Sequence, residues 1–293
     1  MGNGSAPAPL RSMLFVPGDQ PRMLEKARGL PADALIFDLE DGVAPKDKPR
    51  ARTLIRDALA SGGLPERVWL RPNALATGQF EDDLLACLLP PVVGVVVPKS
   101  RTARDVEIAA SVVASLAAAR GFRHPVRLAL LIETPPAVLG AADLAAAAGD
   151  RLAALVFGAD DLAAEMGLPR TAGNDEVRVP RAHVALVAHA VGVEAIDLVY
   201  TAVRDLDGLR RECQQGRLLG YTGKQVIHPD QIAPVQEIFA PSAEELAWAR
   251  RVMEAYHAAP RGALVVDGRM VDAPIVRRAE RLLARAARLA PGA

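Results

Sequence analysis

The sequence predicts an α/β fold: a closed (β/α)8 barrel of the TIM type carrying a C-terminal extension of a lid segment and a helix. Three observations carry that prediction. Eight short apolar runs alternate with helix-length segments along the chain. Polar or charged residues recur just after most of those runs, where such barrels gather their chemistry. The 293 residues suit a barrel of roughly 250 residues plus a tail. A doubly wound open sheet accommodates the same alternation and is the competing architecture.

Taken in order, Met13-Leu14-Phe15-Val16 is the first strand, stopped by Pro17-Gly18, and residues 21–29 form a short helix. The second strand, Ala34-Leu35-Ile36-Phe37, ends in Asp38-Leu39-Glu40-Asp41-Gly42. Residues 46–61 carry Leu54, Ile55, Ala58 and Leu59 at helical spacing. Val68-Trp69-Leu70 is followed by Arg71-Pro72-Asn73, and a helix over 80–89 leads to Gly94-Val95-Val96-Val97 with Pro98-Lys99 behind it. An Ala-rich helix covers roughly 102–120. The fifth and sixth strands, Leu128–Ile132 and Ala154–Phe157, end in Glu133-Thr134 and Gly158-Ala159-Asp160-Asp161, with an Ala/Leu-rich helical segment between them. Continuous apolar runs of this kind read as strands buried on both faces. Helices over 180–191 and 206–215 flank a seventh strand at Ala195-Ile196-Asp197. The eighth, Lys224-Gln225-Val226-Ile227, ends in His228-Pro229. Beyond it come an amphipathic helix over 242–258, a turn-like element over 265–274 and an Arg/Ala/Leu helix over 274–289. The domain reading is a flexible leader at 1–9, the barrel at 10–240 and the extension at 241–293.

Composition narrows the function. Lysine plus arginine and aspartate plus glutamate number 35 each, so no net field draws in nucleic acid or an acidic membrane. The five arginines 277, 278, 281, 285 and 288 read as the wet face of the last helix. No apolar run approaches the roughly 20 residues that span a bilayer, and the leader lacks a signal-peptide core. Ala6 stands where a myristoylation motif needs a hydroxyl residue. Cys87 and Cys213 lie far apart and outside any zinc-ligand pattern, so a reducing cytoplasm is the expected location.

In parallel α/β folds, ligands sit beyond the carboxyl ends of the strands. Glu133 and Asp161 should therefore point into one mouth and hold a hard divalent cation such as Mg²⁺; the competing reading makes either acid a helix cap. Arg71 should project into the same mouth, with a planar fork suited to a carboxylate, or else form an internal ion pair with Glu40 or Asp41. Asp38, Glu40 and Asp41 read as outer ligands through water or as groups that orient the inner ones. Lys99 reads as an ion-pair partner in preference to a Schiff-base nucleophile, since two acids already offer a metal route to carbonyl polarisation. His228 touches ligand through its backbone or is simply packed.

Eight motifs in this order resemble the citrate lyase β-subunit-like proteins, which belong with the malyl-CoA and citramalyl-CoA lyases in the HpcH/HpaI aldolase superfamily. They are Arg11-Ser12-Met13-Leu14-Phe15-Val16-Pro17-Gly18, Asp38-Leu39-Glu40-Asp41-Gly42-Val43, Arg71-Pro72-Asn73, Val97-Pro98-Lys99, Ile132-Glu133-Thr134, Phe157-Gly158-Ala159-Asp160-Asp161-Leu162, Gly223-Lys224-Gln225-Val226-Ile227-His228-Pro229 and Gly268-Arg269-Met270-Val271-Asp272-Ala273-Pro274. The resemblance implies a Mg²⁺-dependent barrel that cleaves or forms a carbon–carbon bond in short acyl thioesters. It implies Glu133 and Asp161 as metal ligands, Asp160 beside the substrate, Arg71 on the keto-acid carboxylate or carbonyl, and Phe15 and Lys26 on CoA. Where malyl-CoA lyases add an arginine after the first turn, this chain has Gln20, with Arg22 two positions on.

The tail resembles the segment that closes over a neighbouring subunit's site, with Asp272 as its carboxylate. This implies a homotrimer or dimer of trimers in which Asp272, like Arg71 and Asp41, is catalytic; a helix N-cap is the competing role for Asp272. The expected reaction converts malyl-CoA or citramalyl-CoA to an acyl-CoA plus glyoxylate or pyruvate. Malate-synthase-like or thioesterase output on the same scaffold is the alternative, as is a non-catalytic CoA-binding or citrate lyase complex subunit.

Overall fold

The structure is a computed structural model and describes residues 9–65, 67–258 and 264–290. Eight strands alternate with helices: β1 (Ser12–Pro17), α1 (Pro21–Ala27), β2 (Ala34–Asp38), α2 (Lys48–Ala60), β3 (Val68–Arg71), α3 (Phe80–Cys87), β4 (Val92–Val97), α4 (Ala103–Ala119) and β5 (Arg127–Ile132). Then come α5 (Pro135–Leu139), α6 (Ala141–Ala148), β6 (Leu152–Phe157), α7 (Ala159–Glu165), α8 (Arg178–Val191), β7 (Glu194–Asp197), α9 (Leu206–Leu219) and β8 (Gly223–Val226). The strands pair in sequence order, all parallel, and β8 returns to β1, so the barrel is closed and the open sheet is excluded.

Side chains alternate between the two faces of a strand. Met13, Ala34, Ile36, Trp69, Val96, Ala129, Leu131, Val156 and Ile196 meet in the barrel interior. The alternate positions, among them Leu35, Phe37, Leu70, Val95, Val97 and Leu130, are buried as well. Burial on both faces is why the runs are continuously apolar. Gly94 admits the largest interior side chain, since a β-carbon there would lie 2.4 Å from the Trp69 ring.

The chain divides into two compact units, residues 10–235 and the residues from 236 onward. α10 (Ile232–Phe239) carries the chain from one to the other. In the second unit, α11 (Ala243–Ala258), β9 (Leu264–Val266), β10 (Arg269–Val271) and α12 (Ala273–Leu289) surround Ala249, Val252, Val266, Val271, Val276 and Ala279. The turn-like element over 265–274 is thus a β-hairpin, its Asp267-Gly268 corner left-handed at both residues.

Two helices escaped the sequence reading. α7 starts directly behind Gly158 with two acids in its first turn, which reads as loop. In α10, Pro234 looks like a breaker but occupies the first turn, where proline is tolerated. The arginines of α12 are also not uniformly wet: Arg278 stacks on Trp248 at 4.9 Å, and half-buried Arg285 donates to the Phe239 carbonyl at 3.3 Å. Of the leader, residues 1–8 lie outside the described residues.

Candidate active site

The inward register, continued to the end of each strand and just past it, builds a cavity of about 280 Å³ at the carboxyl ends of the barrel strands. Phe15 and Pro17 follow Met13 on the inner face of β1; Asp38 follows Ile36, Arg71 follows Trp69, and Glu133 follows Leu131. All of these line the cavity with Asp160, Asp161, Gln225 and Ile227. Of the residues singled out from sequence, Phe15, Arg71, Glu133, Asp160 and Asp161 are therefore together. Asp41, Lys26 and Asp272 are not among the lining residues.

Strand register makes Asp38 and Arg71 cross-strand neighbours. Arg71 Nε and Nη2 each donate to one Asp38 oxygen at 2.7 Å, and Nη1 lies 3.0 Å from Glu40 Oε2. The internal ion pair of Arg71 thus forms with Asp38 and Glu40, and Asp38 is the partner that the sequence does not announce. The guanidinium also lies 4.5 Å over the Phe15 ring. Burial alone would weaken its charge, but the Asp38 pair and the Glu40 charge raise its pKa.

Ile132 pairs with Phe157, which brings Glu133 beside Gly158. A β-carbon on Gly158 would lie 2.4 Å from Glu133 Cβ and 2.7 Å from Oε2, so only glycine leaves room for the carboxylate. Glu133 is 1% exposed. Burial first, and then the charges of Asp161 and Glu40, hold its carboxyl well above the usual carboxylate range. Among the described residues no three acids, histidines or cysteines converge as a metal site. Two hard carboxylates on one cavity wall, where the charge of Asp161 adds to the burial that raises Glu133, fit a cation such as Mg²⁺ that completes its shell with water and substrate oxygen.

Lys99 ties the acids together. Its backbone N–H donates to Glu133 Oε1 at 2.8 Å, and Nζ sits 2.7 Å from Glu40, 2.9 Å from Asp41 and 3.4 Å from Asp161. Its φ of +50° is the left-handed region that a side chain adopts at a cost of about 1–2 kcal/mol. Burial lowers the ammonium pKa, but the hydrogen bonds to Glu40 and Asp41 outweigh it and raise the value. A Schiff-base nucleophile needs the neutral amine, so Lys99 is built here as a fixed cation. The same bonds hold Asp41 below its ordinary value against the opposing effect of burial.

Lys26, Asp272 and His228 are not among the lining residues, whereas Asp160 is. Lys26 is exposed in the last turn of α1. Asp160 pairs with Arg170 at 2.7 Å. Asp272, in the second unit, accepts from Ile275 N at 3.4 Å and is the N-cap of α12. His228 is not a packed histidine: its side chain is 43% exposed, and Nδ1 accepts from Asp230 N at 3.2 Å. Sequence reasoning gave no role to Gly158 or Gln225; a glycine between a buried strand and an acid-bearing turn was the available signal for the first.

Residues 11–229 match the HpcH/HpaI aldolase/citrate lyase family. A (3S)-malyl-CoA thioesterase of Cereibacter sphaeroides is 37% identical over 286 residues, covering 96% of each chain. The mitochondrial citramalyl-CoA lyase of Homo sapiens is 33% identical over 93% of this chain and 84% of its own. Among solved structures, protein CitE from Mycobacterium tuberculosis in complex with magnesium, acetoacetate and coenzyme A superposes with a TM-score of 0.79 at 35% identity, over 96% of this chain and 99% of that one. With a closed barrel of eight parallel strands, its acids and Arg71 at the carboxyl ends, and these likenesses along nearly its whole length, the chain belongs to the HpcH/HpaI aldolase/citrate lyase family of carbon–carbon lyases.

Proposed function

We propose that the protein is a Mg²⁺-dependent lyase that cleaves a short hydroxyacyl-CoA, such as malyl-CoA or citramalyl-CoA, to an acyl-CoA plus glyoxylate or pyruvate. One observation carries the reading: Glu133 and Asp161 line the same cavity as Arg71, so a metal site and a carboxylate-binding guanidinium face one ligand. Glu133 and Asp161 hold the cation, which supplies Lewis-acid polarisation of the oxygen at the breaking bond. Arginine has five N–H donors; Arg71 gives two to Asp38 and sets Nη1 against Glu40, which still leaves donors for the carboxylate of the keto-acid half. Because Asp38 fixes the fork beforehand, little ordering is left to substrate binding.

In the cleavage direction the substrate hydroxyl gives its proton to water, the carbon–carbon electron pair passes to the α-carbon of the thioester, and a second proton is delivered to that carbon. Asp272 of a neighbouring subunit in a homotrimer delivers that proton, while Asp41 orients Lys99. Phe15, Lys26 and Asp160 contact the CoA thioester and its acyl group. The protein acts in the cytoplasm, with no nucleic-acid or membrane partner; among the described residues no helix is long and apolar enough to cross a membrane.

A panel of small acyl-CoAs against glyoxylate, pyruvate and oxaloacetate, with Mg²⁺, tests class and substrate together. Glu133→Ala and Asp161→Ala should each abolish turnover in folded protein, and near-normal activity of either variant would refute the metal assignment. The likeness to a malyl-CoA thioesterase supports a second reading, in which water cleaves the thioester. That reaction liberates a free thiol, whereas lyase cleavage leaves the thioester intact, so a thiol reagent combined with mass analysis of the acyl-CoA separates them.

A further inference from the structure

Gln225 is the inward-facing residue of β8 and is 4% exposed. Its Nε2 donates to the carbonyl of Phe157 at 2.9 Å and to that of Asp197 at 3.1 Å. Those are the last residues of β6 and β7. Both partners are carbonyl oxygens, which can only accept, so the amide cannot be turned over: nitrogen faces the strand ends and Oε1 faces away from them. Among the described residues, no donor reaches Oε1. The residue lines the cavity between Phe157, Val199 and Ile227, so this deeply set acceptor opens onto the ligand space.

We propose that Gln225 is a specificity-determining residue whose Oε1 accepts a hydrogen bond from a ligand hydroxyl, selecting hydroxy acids over ligands that present only acceptors at that point. The inference rests on the reading of the cavity as a hydroxyacyl/keto-acid site. The other polar groups on the cavity wall are Arg71, which donates, and the carboxylates of Asp38, Glu133, Asp160 and Asp161. Asp38 and Asp160 are engaged by arginines, and Glu133 and Asp161 are the acids assigned to the cation. A neutral acceptor that is held rigidly and is too weak a base to take the proton suits an O–H that must be oriented. In cleavage the substrate carries a hydroxyl where the small product carries a carbonyl, so Gln225 distinguishes the two ends of the reaction.

The test is calorimetric binding to the Mg²⁺-loaded full-length protein, with three small acids and no turnover. Lactate presents an O–H; 2-methoxypropionate keeps the ether oxygen and loses the donor; pyruvate reports the keto-acid site itself. Wild type should bind lactate about five-fold more tightly than the methoxy acid, the range of one neutral hydrogen bond. Gln225→Met, near in shape but with only a weakly accepting thioether in place of the amide oxygen, should bring the two close to level. Gln225→Glu, which keeps an acceptor oxygen, should weaken both acids and preserve their ratio. Equal binding of lactate and the methoxy acid by wild type overturns the proposal, as does a preference that survives in Gln225→Met or vanishes in Gln225→Glu. The two failures are distinguishable: pyruvate bound without any hydroxyl preference removes only the role of Gln225, while failure of all three acids to bind removes the keto-acid reading and this inference with it.

Discussion

A methyl group added at Gly158 would collide with Glu133 Cβ at 2.4 Å, and both atoms belong to the packed end of neighbouring strands. The φ of −99° at Gly158 is open to any residue, so the clash is steric and local. Gly158→Ala should therefore fold but displace the Glu133 carboxylate; weakened Mg²⁺ binding by calorimetry is the expected result, and wild-type affinity would remove the argument. Glu133 also makes a pH prediction. Unfolded, it titrates as an ordinary carboxylate; folded and metal-free, its value is raised by burial and by Asp161 and Glu40. Between the two values the native state holds the extra proton, so the stability Glu133 contributes is present at low pH and is lost as pH rises through the raised value. Glu133→Gln removes that dependence. In metal-free protein the variant should gain on wild type as pH is raised from the acid to the alkaline side of neutrality. Melting curves that stay parallel across the range would show that Glu133 is not the titrating group.

At the scale of elements, the strands were legible because burial on both faces forces continuous apolar runs, and the ends of the second to sixth strands were legible because acids, Arg71 and Lys99 interrupt those runs. The pairings behind them were not, since they depend on register. Asp38 meets Arg71 only because β2 and β3 align Asp38 with Arg71. β8 shows the limit most plainly: Gly223-Lys224-Gln225-Val226 is polar in composition, yet all four residues are buried. Lys224 turns outward to α8 and α9, where Nζ donates to Glu212 at 2.6 Å and lies 3.6 Å from Asp197, itself paired with Arg181. Asn174 Nδ2 donates to the other Glu212 oxygen at 2.7 Å. Removing one charge from such a buried set leaves the others uncompensated, so Lys224→Met should lower stability by about 3–5 kcal/mol in chemical denaturation. The residues lining the cavity are not altered by that substitution, so keto-acid affinity of the surviving folded protein should hold; an unchanged denaturation midpoint would show that the network is not stabilising.

For the whole molecule, the equal numbers of acidic and basic residues direct attention to the second unit and the assembly. Chain order revealed that a tail exists beyond the barrel, but the partner of a tail cannot be read from one chain's periodicity, which is set by local burial. Asp272 presents the sharpest case, because the structure gives it a cap role through Ile275 N and the proposed reaction gives it a proton-transfer role in a neighbour. Asparagine separates them: it caps a helix as well as aspartate does but cannot return a proton. Asp272→Asn should thus melt within about 0.5 kcal/mol of wild type while losing turnover. Mixing then tests the assembly. Asp272→Asn subunits and Arg71→Ala subunits, each inactive alone, are unfolded together and refolded. If Asp272 serves a neighbour's cavity, some sites in the mixed homotrimer combine an intact Arg71 with an intact Asp272, and part of the activity returns. A site completed within one subunit yields none, because each chain then carries its own defect, and a monomer with full activity by mass photometry would exclude exchange altogether.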